Sequence, residues 1–360
     1  MSQKPLKVLI TAGGTGGHVF PALAVAAELQ KLGVKVAWLG TRRGIEARLV
    51  PQAGIALHCL SVQGVRGRGW QGLLKAPFLM VAALGQSLLL LLKLRPQLVL
   101  GFGGFASGPG GLAAKVLWIP LMIHEQNAIP GTTNRYLAPL ARRVLTAFPT
   151  SLRRAQVVGN PVRSNLAVLA APEERFAHRR DEPLRLLVLG GSLGARAINE
   201  LVPEALARMA PEERPQVWHQ AGRDHETAVA EHYQRLGVEA QVDAFIDDMA
   251  KAYSWADWAV CRAGALTVSE LAAVGLAALL VPFPYAIDDH QTHNAAVLVD
   301  AGAALAVSQR DLDAEKLEAL IRTEFSDRSA LLKMAQAGRQ LATPQAARVV
   351  AEQCIEVARG

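Results

Sequence analysis

Twice along this chain a short apolar run breaks into clustered glycines and then into a helix-forming segment. That repeated grammar restricts the fold more than any other feature. The first copy is Lys7-Val8-Leu9-Ile10-Thr11, then Gly13-Gly14-Thr15-Gly16-Gly17, then a helix expected over Pro21–Leu32, with Gly33 as its stop and Val34–Leu39 as the next strand. Proline suits a first helical turn, where no intrahelical bond is lost, and glycine suits a helix end. The second copy is Arg185–Leu189, then Gly190-Gly191-Ser192-Leu193-Gly194, then a helix expected over Ala195–Met209. Further strands are expected at Leu98–Leu100, Pro120–Ile123, Val217–Gln220, Ala259–Cys261 and Ala278–Val281. Strands alternating with helices give parallel sheets covered on both faces. The expected layout is a Rossmann-like α/β domain over 1–163, a polar linker over 164–183, a second such domain over 184–340, and a C-terminal helix over 341–360 that can pack back on the first domain. Ligands in such sheets bind beyond the carboxyl ends of the strands, so both glycine loops are expected on an interdomain cleft.

A length of 360 residues suits two domains, and 51% hydrophobic with 19% charged residues excludes a disordered chain. Cys59, Cys261 and Cys354 are scattered and form neither a disulfide framework nor a metal spacing, which points to a reducing compartment. Charge is divided: residues 1–165 hold 19 Lys and Arg against Glu28, Glu46 and Glu125, a balance of +16, while residues 166–360 stand at −9. A basic half beside an acidic half implies an anionic partner for the first domain. With aromatics at 5% and no nucleic-acid module, specific nucleic-acid binding is not expected.

No secretory leader is expected at the start, because Val8-Leu9-Ile10 runs straight into glycines. The apolar run between Lys75 and Lys93 has 17 residues interrupted by Pro77, Gly85, Gln86 and Ser87. A spanning helix wants roughly 20, so a core or interfacial helix is expected. Arg66, Arg68, Trp70, Leu73, Leu74, Lys75, Phe78 and Leu79 mix basic and apolar side chains in the manner of a membrane-surface contact, or of a partly buried helix flanked by solvated charge.

Several segments have the chemistry of a site. Gly13–His18 follows a strand and precedes a helix, the setting of an anion cradle. The dinucleotide fingerprint fails, because Val19 stands where a third glycine or alanine is needed and Thr41-Arg42-Arg43 where a ribose carboxylate is needed. His18 lies at the mouth of this loop. Gly190–Gly194 is a second candidate cradle. Residues 101–111 hold six glycines in eleven, a composition that leaves backbone amides open to a ligand. His124-Glu125-Gln126-Asn127 ends an apolar strand, and Glu125 is a candidate general base or orienting group. Arg262–Glu270 follows another strand, so a helix start there can hold phosphate while Glu270 grips a ribose diol. Asp288–Asn294 resembles a metal set, but histidines three apart beside two acids are also common in polar loops, and no metal is expected.

Read together, Gly13-Gly-Thr-Gly-Gly-His-Val-Phe-Pro21, Gly101-Phe-Gly-Gly, His124-Glu-Gln-Asn-Ala-Ile-Pro-Gly131, Val158-Gly-Asn-Pro-Val-Arg163, Gly190-Gly-Ser192, Gly264-Ala-Leu-Thr-Val-Ser-Glu270 and Asp289-His-Gln291 resemble a GT-B glycosyltransferase family. Its members are the bacterial enzymes that move N-acetylglucosamine from UDP-GlcNAc to lipid I, making lipid II for peptidoglycan. The resemblance covers nearly the whole chain. It implies an inverting transfer to the 4-hydroxyl of the muramyl sugar, with no covalent intermediate and no cofactor. The implied partners are UDP-GlcNAc, the undecaprenyl-diphosphate acceptor, the cytoplasmic face of the cell membrane and other cell-wall enzymes.

On the donor side the resemblance implies that Ile246 meets uracil, Glu270 the ribose, Ser192 with Ala265, Leu266, Thr267, Val268 and Ser269 the diphosphate, and Gln291 the sugar. Thr15, Gly16, Gly17, Asn127 and Arg163 complete the donor pocket. His18 or Glu125 is the implied base, and Gly14, Gly103, Gly104, Asn134 and Asn199 are secondary or acceptor positions. The chain departs from the pattern at Ala263, Leu193 and Phe105, where serine, glutamine and tyrosine are usual. A transferase with another lipid or glycan acceptor and a UDP-GlcNAc 2-epimerase are the competing readings.

Overall fold

The computed structural model describes residues 5–61, 69–179, 182–191, 194–285 and 287–360. They divide into two compact units, Met1–Arg163 with Thr343–Gly360, and Ser164–Ala342.

The first unit is built from β1 (Lys7–Ala12), α1 (Gly16–Lys31), β2 (Lys35–Thr41), α2 (Glu46–Gln52), β3 (Ala56–Leu60), α3 (Gly69–Leu94), β4 (Leu98–Gly103), α4 (Ser107–Val116), β5 (Leu121–Glu125), α5 (Thr132–Leu137), β6 (Arg143–Thr146) and β7 (Ala155–Val157). Its seven strands are parallel in the order β3-β2-β1-β4-β5-β6-β7. The order reverses between β1 and β4, and that reversal puts the ends of these two strands at the crevice where ligands of open parallel sheets bind. Strand alternation divides the core. Val8, Ile10 and Ala12 pack with Val19, Ala22, Val25 and Leu29 of α1, whereas Leu9 packs with Ala83 and Leu91 of α3 and Ala113 and Ala114 of α4. Val8, Leu9 and Ile10 are fully buried, each worth roughly 1.5–3 kcal/mol relative to an exposed side chain.

The second unit carries α6 (Ser164–Ala167), α7 (Pro172–Ala177), β8 (Arg185–Leu189), α8 (Arg196–Ala207), β9 (Gln216–Gln220), α9 (Glu226–Arg235), β10 (Gln241–Asp243), α10 (Met249–Trp255), β11 (Trp258–Cys261), α11 (Ala265–Val274), β12 (Ala277–Leu280), α12 (His290–Val299), β13 (Ala304–Ala306), α13 (Ala314–Glu324) and α14 (Arg328–Gln340). Its sheet is parallel in the order β10-β9-β8-β11-β12-β13, with the reversal between β8 and β11. The polar stretch after Arg163 carries two short helices, because Leu166 and Phe176 bury their side chains there. The last helix, α15 (Ala346–Arg359), lies on α1 of the first unit and adds Val350, Ala351, Cys354 and Val357 to that core.

One local difference from the sequence reading matters. Helix α1 begins at Gly16 rather than Pro21, with Thr15 extended at its N-cap, so Gly16, Gly17 and His18 form the first turn itself. Pro21 therefore sits inside the helix, where it leaves one backbone carbonyl of the first turn without its usual donor. Helix α3, expected as a core or interfacial helix, is only partly covered. Its 77–94 window is long and apolar enough to cross a membrane, yet only 17% of it is buried. Phe78, Val81, Leu89 and Leu92 point outward while Ala83, Ser87 and Leu91 pack inward.

Candidate active site

In the first unit the loops after β1 and β4 touch. A Cβ on Gly104, whose φ is +77°, would lie 2.3 Å from the Gly13 carbonyl oxygen, and one on Gly103 would lie 3.1 Å from the His18 ring. Only glycine lets these backbones approach so closely. The buried Ser107 hydroxyl locks the pair, lying 2.7 Å from the carbonyls of both Thr11 and Gly103 and accepting the Gly103 N–H. From the other side comes Glu46, fully buried. It accepts from Gly14 N–H at 3.0 Å, Thr41 N–H at 2.9 Å and the Thr41 hydroxyl at 2.7 Å. The Gly14 amide is thus committed to a carboxylate and is not part of an anion cradle. The amides of Gly16 and Gly17 precede the first intrahelical bond of α1 and remain in position for an anionic ligand.

A directed hydrogen-bond chain runs through the end of β5. His124 is fully buried, and burial pushes its pKa down to about 4, so the ring is neutral. Its Nε2–H donates to the Gly159 carbonyl at 3.0 Å. The Gln126 amide then donates to the His124 carbonyl at 3.1 Å, with His124 Nδ1 at 3.4 Å. That orientation leaves Gln126 Oε1 as the acceptor 3.0 Å from His18 Nδ1. His18 Nδ1 therefore donates to Gln126, and Nε2 is the ring nitrogen of this half-buried side chain turned away from that bond.

Glu125 has a different environment. It is 1% exposed, and its oxygens accept from Asn127 N–H at 2.9 Å, the Asn127 side-chain amide at 3.1 Å, Gly131 N–H at 3.0 Å and the Asn134 side-chain amide at 3.0 Å. Four donors occupy its lone pairs, the arrangement of an anchor for the 126–131 loop rather than of a proton acceptor. Asn134 is buried and donates also to the His124 carbonyl, so it too supports this loop. Arg163 holds its guanidinium 4.7 Å from the centre of the Phe20 ring.

In the second unit, α11 starts from Gly264, and the Val268 N–H already closes the first turn onto the Gly264 carbonyl. The Ser269 hydroxyl donates to the Ala265 carbonyl at 2.8 Å. Val268 and Ser269 have therefore spent their donors on the helix, whereas the amides of Leu266 and Thr267 precede its first bond. Glu270 is 4% exposed and accepts from the Tyr253 hydroxyl at 3.0 Å. The Ile246 N–H donates to Gln220 Oε1, which leaves its carbonyl as the backbone group to offer. Gln291 Oε1 accepts from Phe283 N–H, which leaves its amide nitrogen.

Asn199 does not face a ligand surface. It is buried, donates to the Ala221 carbonyl and accepts from His219 Nε2. Burial lowers the pKa of His219 to about 3. Ser192 lies outside the described residues, as do Arg66 and Arg68. Trp70, Leu73, Leu74 and Lys75 fall on α3. Of the rest of that set, Phe78 is exposed, whereas Leu79 packs against the core. No group of three metal-ligating side chains occurs among the described residues.

Sequence reading gave no role to Glu46, Ser107, Gln126, Gln220 or Tyr253, which hold His18, Glu270, Ile246 and the glycine loops in place. The one available signal was for Glu46, one of only three acids in the first 165 residues.

The chain matches the glycosyltransferase family 28 N-terminal domain over residues 8–146 and the family's C-terminal domain over 185–351. It is 57% identical over 363 residues to the UDP-N-acetylglucosamine--N-acetylmuramyl-(pentapeptide) pyrophosphoryl-undecaprenol N-acetylglucosamine transferase of Cellvibrio japonicus, covering 99% of this chain and 100% of that one. The crystal structure of Acinetobacter baumannii MurG is similar with a TM-score of 0.82 and 42% identity, covering 98% of this chain and 100% of that one. A UDP-GlcNAc 2-epimerase from Neisseria meningitidis, 15% identical with a TM-score of 0.67 over 98% of this chain and 100% of that one, shares the fold alone.

Proposed function

The chain belongs to glycosyltransferase family 28, among the transferases that place N-acetylglucosamine on N-acetylmuramyl-(pentapeptide) pyrophosphoryl-undecaprenol, and on that premise we infer that its own reaction is the conversion of lipid I to lipid II. The donor is UDP-GlcNAc and the product feeds peptidoglycan.

The hydrogen-bond chain ending at His18 is the observation that carries the chemistry. His18 Nε2 takes the proton of the muramyl 4-hydroxyl as that oxygen attacks the anomeric carbon. The bond from that carbon to the UDP oxygen breaks, its electron pair leaves on the diphosphate, and the configuration inverts. Gln126 and His124 support this role by holding the imidazole in the tautomer whose outward nitrogen can accept a proton. Glu125 acts through the loop that it anchors. On the donor side, the α11 amides of Leu266 and Thr267 face developing negative charge at a helix start, where it is best stabilised. Glu270, held by Tyr253, takes the ribose, the Ile246 carbonyl takes the uracil N–H, and the Gln291 amide takes the sugar. Because the donor carries its own leaving group, the reaction needs no redox or carrier cofactor.

The enzyme works peripherally on the cytoplasmic face of the cell membrane. Supporting this are the acceptor's lipid anchor, the +16 balance of residues 1–165 and the outward apolar side chains of α3.

The test is UDP release from UDP-GlcNAc in excess chelator, with and without a short-chain lipid I analogue. Release only with the analogue, undiminished by chelator, is expected. Folded protein that binds UDP-GlcNAc yet releases no acceptor-dependent UDP would overturn the reading.

A further inference from the structure

The first unit has an apolar hollow that the chemistry above does not use. It has a volume of about 490 Å³ and lies among Met80, Val81 and Leu84 of α3, Leu112 of α4, and Tyr136 and Leu137 of α5. That volume is in the range of ligand sites, roughly 300–1,000 Å³. Its rim is open to solvent, with Val81 71% and Tyr136 76% exposed, while its floor reaches Leu137 at 4%. The walls are almost wholly apolar, and the polar exceptions, Thr132 and Thr133, stand together at one end beside Gly108 and Pro109.

That end continues into the candidate site. Gly108 belongs to the 101–111 glycine segment, the Thr133 hydroxyl approaches the Gly104 carbonyl at 3.4 Å, and the neighbouring Asn134 donates to Glu125. One hollow therefore has an apolar body and a mouth at a glycine-rich loop in the basic half of the chain. A ligand that fits it has an anionic head on a single apolar tail.

We propose that this hollow seats the isoprene units nearest the diphosphate of the acceptor's polyprenyl chain, drawing them out of the bilayer and along α3, α4 and α5. The proposal rests on the reading above for the identity of the acceptor, but not for the existence of the site. A planar bilayer can cover outward tips such as Phe78 and Val81. It does not enter a concave space with a buried floor, whereas a single hydrocarbon chain does. Seating the first isoprenes also fixes the direction in which the diphosphate leaves the protein, which orients the sugar attached to its other end.

The experiment measures binding of farnesyl diphosphate and of inorganic diphosphate to the full chain and to Val81→Gln and Leu112→Gln, by calorimetry, with co-sedimentation on anionic vesicles alongside. Both substituted residues already face solvent, so unfolding near the wild-type temperature is expected and is checked first. Farnesyl diphosphate is expected to bind the wild type at least ten-fold tighter than inorganic diphosphate. Each variant should lose about ten-fold for the farnesyl compound with inorganic diphosphate binding unchanged, and Leu112→Gln, which lies on α4, should also keep its vesicle binding. Equal binding of the two diphosphates to the wild type overturns the proposal. So does a loss of vesicle binding in variants that keep their affinity for farnesyl diphosphate, which would make the face a bilayer contact only. Because the readout is binding, failure of glycosyl transfer leaves this result interpretable by itself.

Discussion

Replacing Glu125 by glutamine keeps the shape of the side chain and removes half of its accepting capacity, which separates an anchoring carboxylate from a catalytic one. In the native site each oxygen accepts two donors, from Asn127 twice and from Gly131 and Asn134. A glutamine can satisfy one pair through its carbonyl, but its amide hydrogens then point at the other two donors. Hydrogen bonds to a charged group are worth about 1.5–3 kcal/mol each, so losing two costs about 3–6 kcal/mol. The group is 1% exposed, so solvent does not screen this loss. Set against a total stability of about 5–15 kcal/mol, the first unit should melt roughly 10–20 °C lower. His18→Gln loses only its bond to Gln126, about 1 kcal/mol, and should melt within a few degrees of wild type while turnover falls roughly 10²–10⁴-fold. Hydrogen exchange of peptides from β5 and α5 reports the first unit separately, and UDP release reports turnover. A Glu125→Gln protein as stable as wild type but as inactive as His18→Gln would refute the reasoning and make the carboxylate the base.

Acid should weaken the fold before most carboxylates titrate. The pKa values of His124 and His219 are lowered to about 4 and about 3, so both rings are neutral when folded, whereas the unfolded chain protonates them below 6.5. The stability they contribute is complete above pH 6.5 and declines as pH falls, by about 1.4 kcal/mol per histidine per pH unit. Urea midpoints that coincide at pH 7 and pH 5 would contradict this. Gly104→Ala must push a Cβ against the Gly13 carbonyl at a left-handed φ, and it should lower kcat/KM for the acceptor at least ten-fold while UDP-GlcNAc binding to the second unit persists, as followed by calorimetry. Tyr253→Phe leaves Glu270 without its phenol donor and should weaken UDP-GlcNAc binding by roughly ten-fold, the worth of one hydrogen bond to a charged group. An unchanged dissociation constant would remove Glu270 from the ribose site.

Much of the fold was legible because its signals are local. A strand before clustered glycines and a helix after them identifies a parallel α/β unit, and finding that sequence twice identifies two. The start of α1 was misplaced because Pro21 looks like a first-turn residue, whereas the extended Thr15 and the small size of Gly16 and Gly17 let the helix begin earlier. The sequence left α3 open between a core and an interfacial helix, since an apolar run does not say which of its sides a sheet will cover.

The candidate site separates the same way. His18, Glu125, Glu270 and the glycine loops stood out by residue type and by position after a strand. The partners that lie far along the chain did not. Glu46 reaches Gly14 across 32 residues, Ser107 reaches Thr11 across 96, and Gln126 reaches His18 across 108. Glu125 looked catalytic as a lone carboxylate in a basic half, and only its four donors show that its charge is held inside the fold.

By itself, then, the sequence determined which backbones can turn tightly, where helices start on strands, and how charge divides between the halves. Those properties depend on φ/ψ preference and composition, which neighbouring residues set. Tertiary structure alone decided that β1 lies beside β4 and that His18 Nδ1 meets Gln126 Oε1. Those outcomes follow from burying apolar faces and from pairing most enclosed donors and acceptors, conditions that only the whole packed unit can meet.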